Sequence, residues 1–296
     1  MYIDSHLHIM KRENFSKNAW EYLGMEIPEN TEIDFLVDSL KEAGIEKAVM
    51  MGQDMSRVWQ TNFGEEYLQE VFRKYPDFFL PLISVEPLDI HGRFNRKALD
   101  YFERNIEFGC KGVLLTPPYG QYYSNHRTLY PFYEMASKHN VIVQFHHSAM
   151  NGPACLAPLK YANIHWLNDV IADFPELDIV VEHLAYPWYD ELLVMMVSAK
   201  HLWTDLSQQY DRTYILAWNM VKAMEYGVVD RFMYASDFVG VDNGHISKQP
   251  GEDFKQWMNI IRYRINEICQ GCGWPTMDEE TINGILGNNA KRLYKL

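Results

Sequence analysis

Short apolar runs rich in Val, Ile, Phe and Met recur along the 296-residue chain, spaced roughly 25–45 residues apart. There are eight: MYIDSH, EKAVMMG, FFLPLISVE, KGVLLTP, VIVQFHH, LDIVVEHL, HLWTDLS and RFMYASD. Most are apolar almost throughout rather than alternating, which is how strands covered on both faces read. Between them the period becomes helical. TEIDFLVDSLKEAGI sets Ile33, Leu36, Val37 and Leu40 on one stripe, with a capping-box-like start at Thr31 and Asp34 and a stop at Gly44. NRKALDYFERNIEFG ends similarly at Gly109. Further helices are expected near 129–139, 164–173, 188–199 and 212–226, and the chain beyond 253 also reads as helical. Eight strands alternating with helices predict an α/β fold, a (β/α)8 TIM barrel formed by residues 1–296 as one domain. A doubly wound open sheet is the alternative, but no glycine-rich phosphate loop follows an early strand.

Composition narrows the function classes. The chain is 47% apolar, enough for a large core, and 27 Lys+Arg against 40 Asp+Glu give a formal net charge of −13. Such an acidic molecule repels phosphate backbones and anionic lipid, so the expected partner is a small-molecule substrate rather than nucleic acid or a membrane. Four cysteines, Cys110, Cys155, Cys269 and Cys272, do not make a disulfide framework and fit a reducing cytoplasm. The CxxC of Cys269 and Cys272 stands alone and reads as incidental thiols. No apolar run approaches the ~18 residues of a membrane span, and no basic-then-apolar leader is expected before the first strand.

Barrels of this kind carry their sites at the C-terminal ends of the strands. Strand one ends Asp4-Ser5-His6-Leu7-His8, and alternate residues of a strand share a face, so Asp4, His6 and His8 are expected to point one way. Strand five ends in His146 and His147, of which only one can face the axis. Strand six ends in His183 and strand eight in Asp237. One strand-end histidine is ordinarily a hydrogen-bonded structural residue, and one aspartate is often a helix cap. Four strands ending this way predict a divalent-metal site, because imidazole nitrogen and carboxylate oxygen are the ligand set of zinc and similar ions.

Substrate-facing candidates lie in the following loops. Arg57 and Trp59 follow strand two, where an arginine in an aromatic loop could clamp a carboxylate; the alternative is a surface arginine stacked on Trp59. Tyr119, Tyr122 and Tyr123, with His126 and Arg127, follow strand four as a lid over a planar ligand or as barrel-top packing. Trp188, after His183, is packing or pocket wall, and Asp242 and His245 in the strand-eight loop are candidate supports.

His6-x-His8 on strand one, the strand-five and strand-six histidines and SDF on strand eight together resemble the amidohydrolase superfamily. The closer likeness is to the amidohydrolase-2 branch with aminocarboxymuconate-semialdehyde decarboxylase, resorcylate decarboxylases and pyrone-dicarboxylate lactonase. GCKGVLLTPPYGQYY, LYPFYEMASKHNVIVQFHH, DFPELDIVVEHLAYPW, RFMYASDF and ILGNNAKRLYKL carry it along nearly the whole chain. The resemblance implies that His6, His8, His146 and Asp237 hold one divalent ion, zinc first and manganese second. His183 would then stand beside it as an acid/base or substrate-polarising group. His147 is the alternative ligand if the register is one residue off, and otherwise a pocket residue. Asp4, deeper in the strand, is expected to support the ligands as a buried carboxylate. Where relatives often carry a strand-four lysine able to bridge two ions, this chain has Leu114, with Lys111 misplaced, so a single ion is expected. Ala185 and Tyr186 replace glycines that often follow the strand-six histidine, and HHSAM replaces a His-Thr-Gly turn.

The first activity this implies is hydrolysis, activated water attacking an ester, lactone or amide of a small, carboxylated or aromatic substrate. Asp237 would accept the proton and His183 polarise the carbonyl. The alternative is metal-dependent non-oxidative decarboxylation of an aromatic or unsaturated acid, and a third reading is a purely structural metal. Dimers are common in the family it resembles, so a homodimer is the expected assembly.

Overall fold

The computed structural model of the chain describes residues 1–149, 153–239 and 250–296. Each predicted apolar run supplies one parallel strand, and the strands follow one another in sequence order. They are β1 (Tyr2–His8), β2 (Ile45–Met51), β3 (Phe79–Ser84), β4 (Gly112–Leu115), β5 (Ile142–Phe145), β6 (Ile179–Val181), β7 (Leu202–Asp205) and β8 (Phe232–Met233). Backbone N–H groups of Ser5 to Tyr234 O (3.0 Å), Asp237 to His6 O (2.8 Å) and His8 to Phe238 O (2.8 Å) join the last strand to the first. The result is a nearly closed TIM barrel.

The strands read as apolar throughout because both faces are covered. Val49 and Met51 point inward to pack with Ile3, Leu80, Leu82 and Leu114, while Ala48 and Met50 point outward to the helices. Leu293 and Tyr294 of the helix Asn289–Tyr294 join the inner cluster and plug the end where the strands begin. Leu114, standing where relatives have lysine, is fully buried in that cluster and offers no ligand.

Most helices follow the predicted periods. Ile33–Glu42 buries Leu36, Val37 and Leu40 against the barrel. Arg96–Glu107 begins at Asn95, whose side chain accepts from Ala98 N, and the chain turns away at Gly109, whose φ of +93° suits a residue without Cβ. Tyr130–His139, Tyr189–Ser198 and Thr213–Glu225 match expectation, while 164–173 opens as a 3-10 turn before the helix Leu167–Asp173. The capping box at Thr31 and Asp34 does not form. Thr31 Oγ1 instead accepts from Met10 N at 3.0 Å, tying down the segment after β1, and Asp34 pairs with Lys74. Among the described residues no helix is long and apolar enough to cross a membrane.

β1 departs from simple alternation. Its pairing with β2 runs Asp4↔Ala48 and then Leu7↔Met50, so a bulge lies between Asp4 and Leu7. Asp4 is therefore out of phase with His6 and His8, and the expectation that all three share one face is corrected.

Candidate metal centre

With the bulge in place, Leu7 and Ile9 pack outward and His6 and His8 turn into the barrel mouth. Their Nε2 atoms are 3.0 Å apart, and Asp237 Oδ1 lies 3.3 Å from the first and 3.5 Å from the second. The opposite ring atoms fix the tautomers. His6 Nδ1 is 3.0 Å from Asp205 Oδ2 and His8 Nδ1 is 3.2 Å from Gly52 O; both partners only accept, so each Nδ1 carries the hydrogen. The two Nε2 atoms then face each other beside a carboxylate oxygen, an arrangement that calls for a cation between them, a proton on His6 Nε2 or a metal ion in its place. Ligands ~2.0–2.1 Å from a tetrahedral zinc lie about 3.3–3.4 Å from one another, and the three donor separations of 3.0, 3.3 and 3.5 Å bracket that spacing. The donor set fits a divalent ion. A Cβ at Gly52 would meet the Glu65 carboxylate, so a larger residue there would require Glu65 to move.

A second group of donors adjoins the first. His146 follows β5 and faces inward, its Nδ1 2.8 Å from Glu182 Oε2 and 3.3 Å from His183 Nε2. His147 turns the other way, bonding Ala162 O through Nδ1 at 3.2 Å and packing on Phe145, so it reaches neither ligand position nor pocket. β6 stops at Val181, and His183, Leu184 and Ala185 take left-handed φ values of +58°, +55° and +54°. This turn lets the adjacent Glu182 and His183 both face the site, with Glu182 Oε2 3.6 Å from His183 Nε2 and Oε1 3.7 Å from His6 Nε2. Each left-handed non-glycine residue costs roughly 1–2 kcal/mol, offset locally where His183 N donates to Asp205 Oδ1 (3.0 Å) and Gln209 Nε2 to His183 O (3.1 Å).

Asp205, at the end of β7, is the residue that strand-by-strand reasoning missed. One oxygen takes the His6 Nδ1–H; the other takes His183 N, Ser207 N and the Ser207 hydroxyl. Ser207 Oγ has thereby spent its hydrogen, so it accepts from His183 Nδ1 (2.7 Å), which leaves His183 Nε2 with its lone pair toward the cavity. Asp4 does not support the rings as expected. Its Oδ1 accepts from the backbone N–H of His6 (3.2 Å) and Ser236 (3.0 Å), stitching β1 to the chain after β8. The carboxylates behind the imidazoles are Asp205 and Glu182.

The electrostatics agree with a cation site. Burial disfavours charge on His6, but Glu182, Asp237 and Asp205 outweigh it and raise its pKa to about 10. Burial and the neighbouring His6 push His8 down to about 4. Burial also opposes ionisation of Glu182 and Asp205, yet His6 holds Asp205 below, and Glu182 well below, the usual carboxylate range. Burial lowers His183, keeping it neutral, and raises Asp4 to about 6. Among the described residues no Lys or Arg forms an ion pair with Glu182, Asp205 or Asp237.

The histidines and Asp237 floor a cavity of about 840 Å³. Of the substrate candidates, Tyr119 lines it, its ring 4.8 Å from His146. The others do not line it. Arg57 is tucked against Glu86 (3.5 Å), not stacked at the surface, and Trp59 packs behind the wall with Trp20 and Phe63. Tyr122 is buried in the core cluster, Tyr123 packs on Tyr161 and Trp166, and Trp188 packs half-buried against the core. Asp242 and His245 lie outside the described residues. The outer wall comes instead from the segment after β1, including Arg12, Phe15 and Trp20, together with Gln208 and Arg212 after β7. The aromatic residues in that long first loop were its available signal.

An amidohydrolase family model matches residues 3–296. No curated protein matches. Similar solved structures include a probable 2-pyrone-4,6-dicarboxylic acid hydrolase from Acinetobacter baumannii with citric acid bound. It is 18% identical with a TM-score of 0.69, covering 100% of this chain and 99% of that one. A dihydroxybenzoic acid decarboxylase from Polaromonas sp. JS666, with bound manganese and 2-nitroresorcinol, is 15% identical with a TM-score of 0.63, covering 100% and 97%. An amidohydrolase from Burkholderia multivorans with bound zinc is 11% identical with a TM-score of 0.65, covering 100% and 99%. At such identities the likeness to these structures is one of fold.

Proposed function

The chain belongs to the amidohydrolase family, and we propose that within it this protein is a metal-dependent hydrolase of an ester, lactone or amide in a small carboxylated or aromatic substrate. The observation that carries the reading is the meeting of His6 Nε2, His8 Nε2 and Asp237 Oδ1 within 3.0–3.5 Å at the floor of the cavity. These three residues would hold a divalent ion, and the chemistry it would supply there is a bound water acidified from ~15.7 toward ~7 and a Lewis acid for a carbonyl. Zinc is the first choice and manganese the second, the two metals held by the Burkholderia and Polaromonas proteins.

The chain's own groups supply the rest. Gln208 Nε2 donates to Asp237 Oδ2 at 2.5 Å, which orients the carboxylate so that its other oxygen meets the two histidines, and in the hydrolase reading Asp237 would be the proton acceptor. His183 presents an acceptor nitrogen, which suits an acid/base role better than polarising a carbonyl as a donor. Tyr119, Phe15, Trp20 and Phe63 give the cavity aromatic walls for a planar substrate.

The test is to load the protein with zinc or manganese and screen lactones, amides and hydroxybenzoates, recording CO2 release apart from hydrolysis. Hydrolytic turnover abolished by a chelator is expected. Metal-dependent CO2 release without hydrolysis overturns the reading in favour of the decarboxylase.

A further inference from the structure

One side of the cavity is apolar from floor to rim. The His8 ring stands edge-on to Phe63 at 5.4 Å, Phe63 stacks on Phe15 at 5.2 Å, and Phe15 leans on Trp20 at 5.1 Å. The protein itself holds this row in place: Trp20 Nε1 donates to Thr61 Oγ1 at 3.1 Å, and Ser16 Oγ caps the helix Lys17–Leu23 by accepting from Ala19 N. Met25, Ile27 and Val239 line the same cavity while only half-buried, which leaves apolar surface open to it. Among the described residues, the Lys and Arg side chains that line the cavity are Arg12, Lys17 and Arg212, and each is engaged. Arg12 pairs with Glu29 and donates to Ile27 O, and Lys17 lies 3.7 Å from Glu21. Arg212 donates to Gln208 O and lies over the Tyr186 ring at 4.5 Å. At the floor, Glu182, Asp205 and Asp237 are three carboxylates, one more negative charge than a divalent ion neutralises.

We propose that the substrate is uncharged beyond its scissile group and carries an aryl or alkyl tail that lies on the wall of Phe15, Trp20, Met25, Ile27, Leu156 and Val239. The inference rests on the hydrolase reading for the scissile group and narrows its substrate to the uncharged class. An apolar surface rimmed by polar groups is the mark of a binding site, and 840 Å³ falls in the upper part of the ~300–1,000 Å³ range of small-molecule sites. A tail on this wall begins beside His8, because the row of rings starts at that residue. A charged tail would give up its hydration where the lining cations are already engaged, and a negative one would also meet the surplus charge of the floor.

Ligand-observed NMR titration of the zinc-equilibrated full chain tests the proposal with 2-phenylethanol, 4-phenylbutanol and 6-phenylhexanol, and with the same alcohols carrying a para-sulfonate on the ring. The plain alcohols are expected to bind about fourfold more tightly for each added methylene, the equivalent of ~0.8 kcal/mol. The sulfonates are expected to bind at least tenfold more weakly than their parents. Met25→Ser/Ile27→Ser, checked for folding by circular dichroism, is expected to flatten the series. An affinity that stays within twofold along the plain series overturns the tail. A sulfonate that binds as well as its parent overturns the uncharged class, and an unchanged series in the folded double variant overturns this wall as the seat of the tail. No bond is broken in the titration, so its result stands apart from the screen for hydrolysis. A series that tightens as expected in a protein without hydrolytic turnover sinks the hydrolase reading and upholds the apolar wall.

Discussion

Asp205→Asn is the substitution through which the account of the site is most exposed. The carboxylate takes the His6 Nδ1–H at 3.0 Å and, on its other oxygen, His183 N and Ser207 N at 3.0 Å each together with the Ser207 hydroxyl. An asparagine whose carbonyl keeps the three donors on that second side must turn its NH2 toward His6. His6 then has to accept at Nδ1, which moves its hydrogen to Nε2, the atom that faces His8 and Asp237. The ligand is lost by a change of tautomer with no change of shape. Removing such a partner behind a metal-bound histidine typically weakens binding 10–100-fold, about 1.4–2.7 kcal/mol. The loss of a hydrogen bond to a charged group, about 1.5–3 kcal/mol, is of the same size. Competition against a fluorescent zinc chelator measures it, with circular dichroism showing that the barrel is intact. An affinity within twofold of wild type in a folded variant would refute the assignment of Asp205 as the residue that sets the His6 tautomer.

Two further outcomes follow from groups outside the ligand set. Glu65 is buried, and burial, aided by Asp54, raises its pKa from 4.5 to about 8. Between those values the folded chain keeps a proton that the unfolded chain releases, so stability is full below pH 4.5 and falls as pH rises toward 8, by at most about 5 kcal/mol. Urea unfolding at pH 5 and pH 8 should show that drop in the wild type and a flatter profile in Glu65→Gln; equal slopes refute the assignment. Ala185 sits at φ +54° where glycine would be unstrained, so Ala185→Gly should stabilise the fold by about 1 kcal/mol, raising Tm by about 2 °C in calorimetry. A lower Tm contradicts the strain assigned to that turn.

The barrel was legible because strands covered on both faces and amphipathic helices leave different periods in sequence, and all eight runs became strands. The β1 histidines were legible for a similar reason, since spacing of two puts His6 and His8 on one face. Asp4 was not, because a bulge inserted after it breaks the alternation without any residue that announces it. Glu182 was hidden by adjacency. In an extended strand, neighbours point oppositely, so a histidine facing in implies a glutamate facing out; only the left-handed turn after Val181 brings both inward. Asp205 ends β7 as Asp237 follows β8, and the rule that polar strand ends build the site would have found it had it been applied to WTDLS. The Tyr122–Tyr123 stretch misled because aromatic density is equally what packs a barrel top, as the stacking of Tyr123 on Tyr161 and Trp166 illustrates.

Metal content of the purified protein tests the central claim most directly. Mass spectrometry of the wild type and of His6→Ala/His8→Ala, each equilibrated with zinc and dialysed, should find at least one ion per wild-type chain. In the double variant, which removes two of the three donors grouped with Asp237, the ion should be lost together with all hydrolytic activity. A double variant that keeps the full metal complement and full activity contradicts the assignment of His6, His8 and Asp237 as the centre of the site.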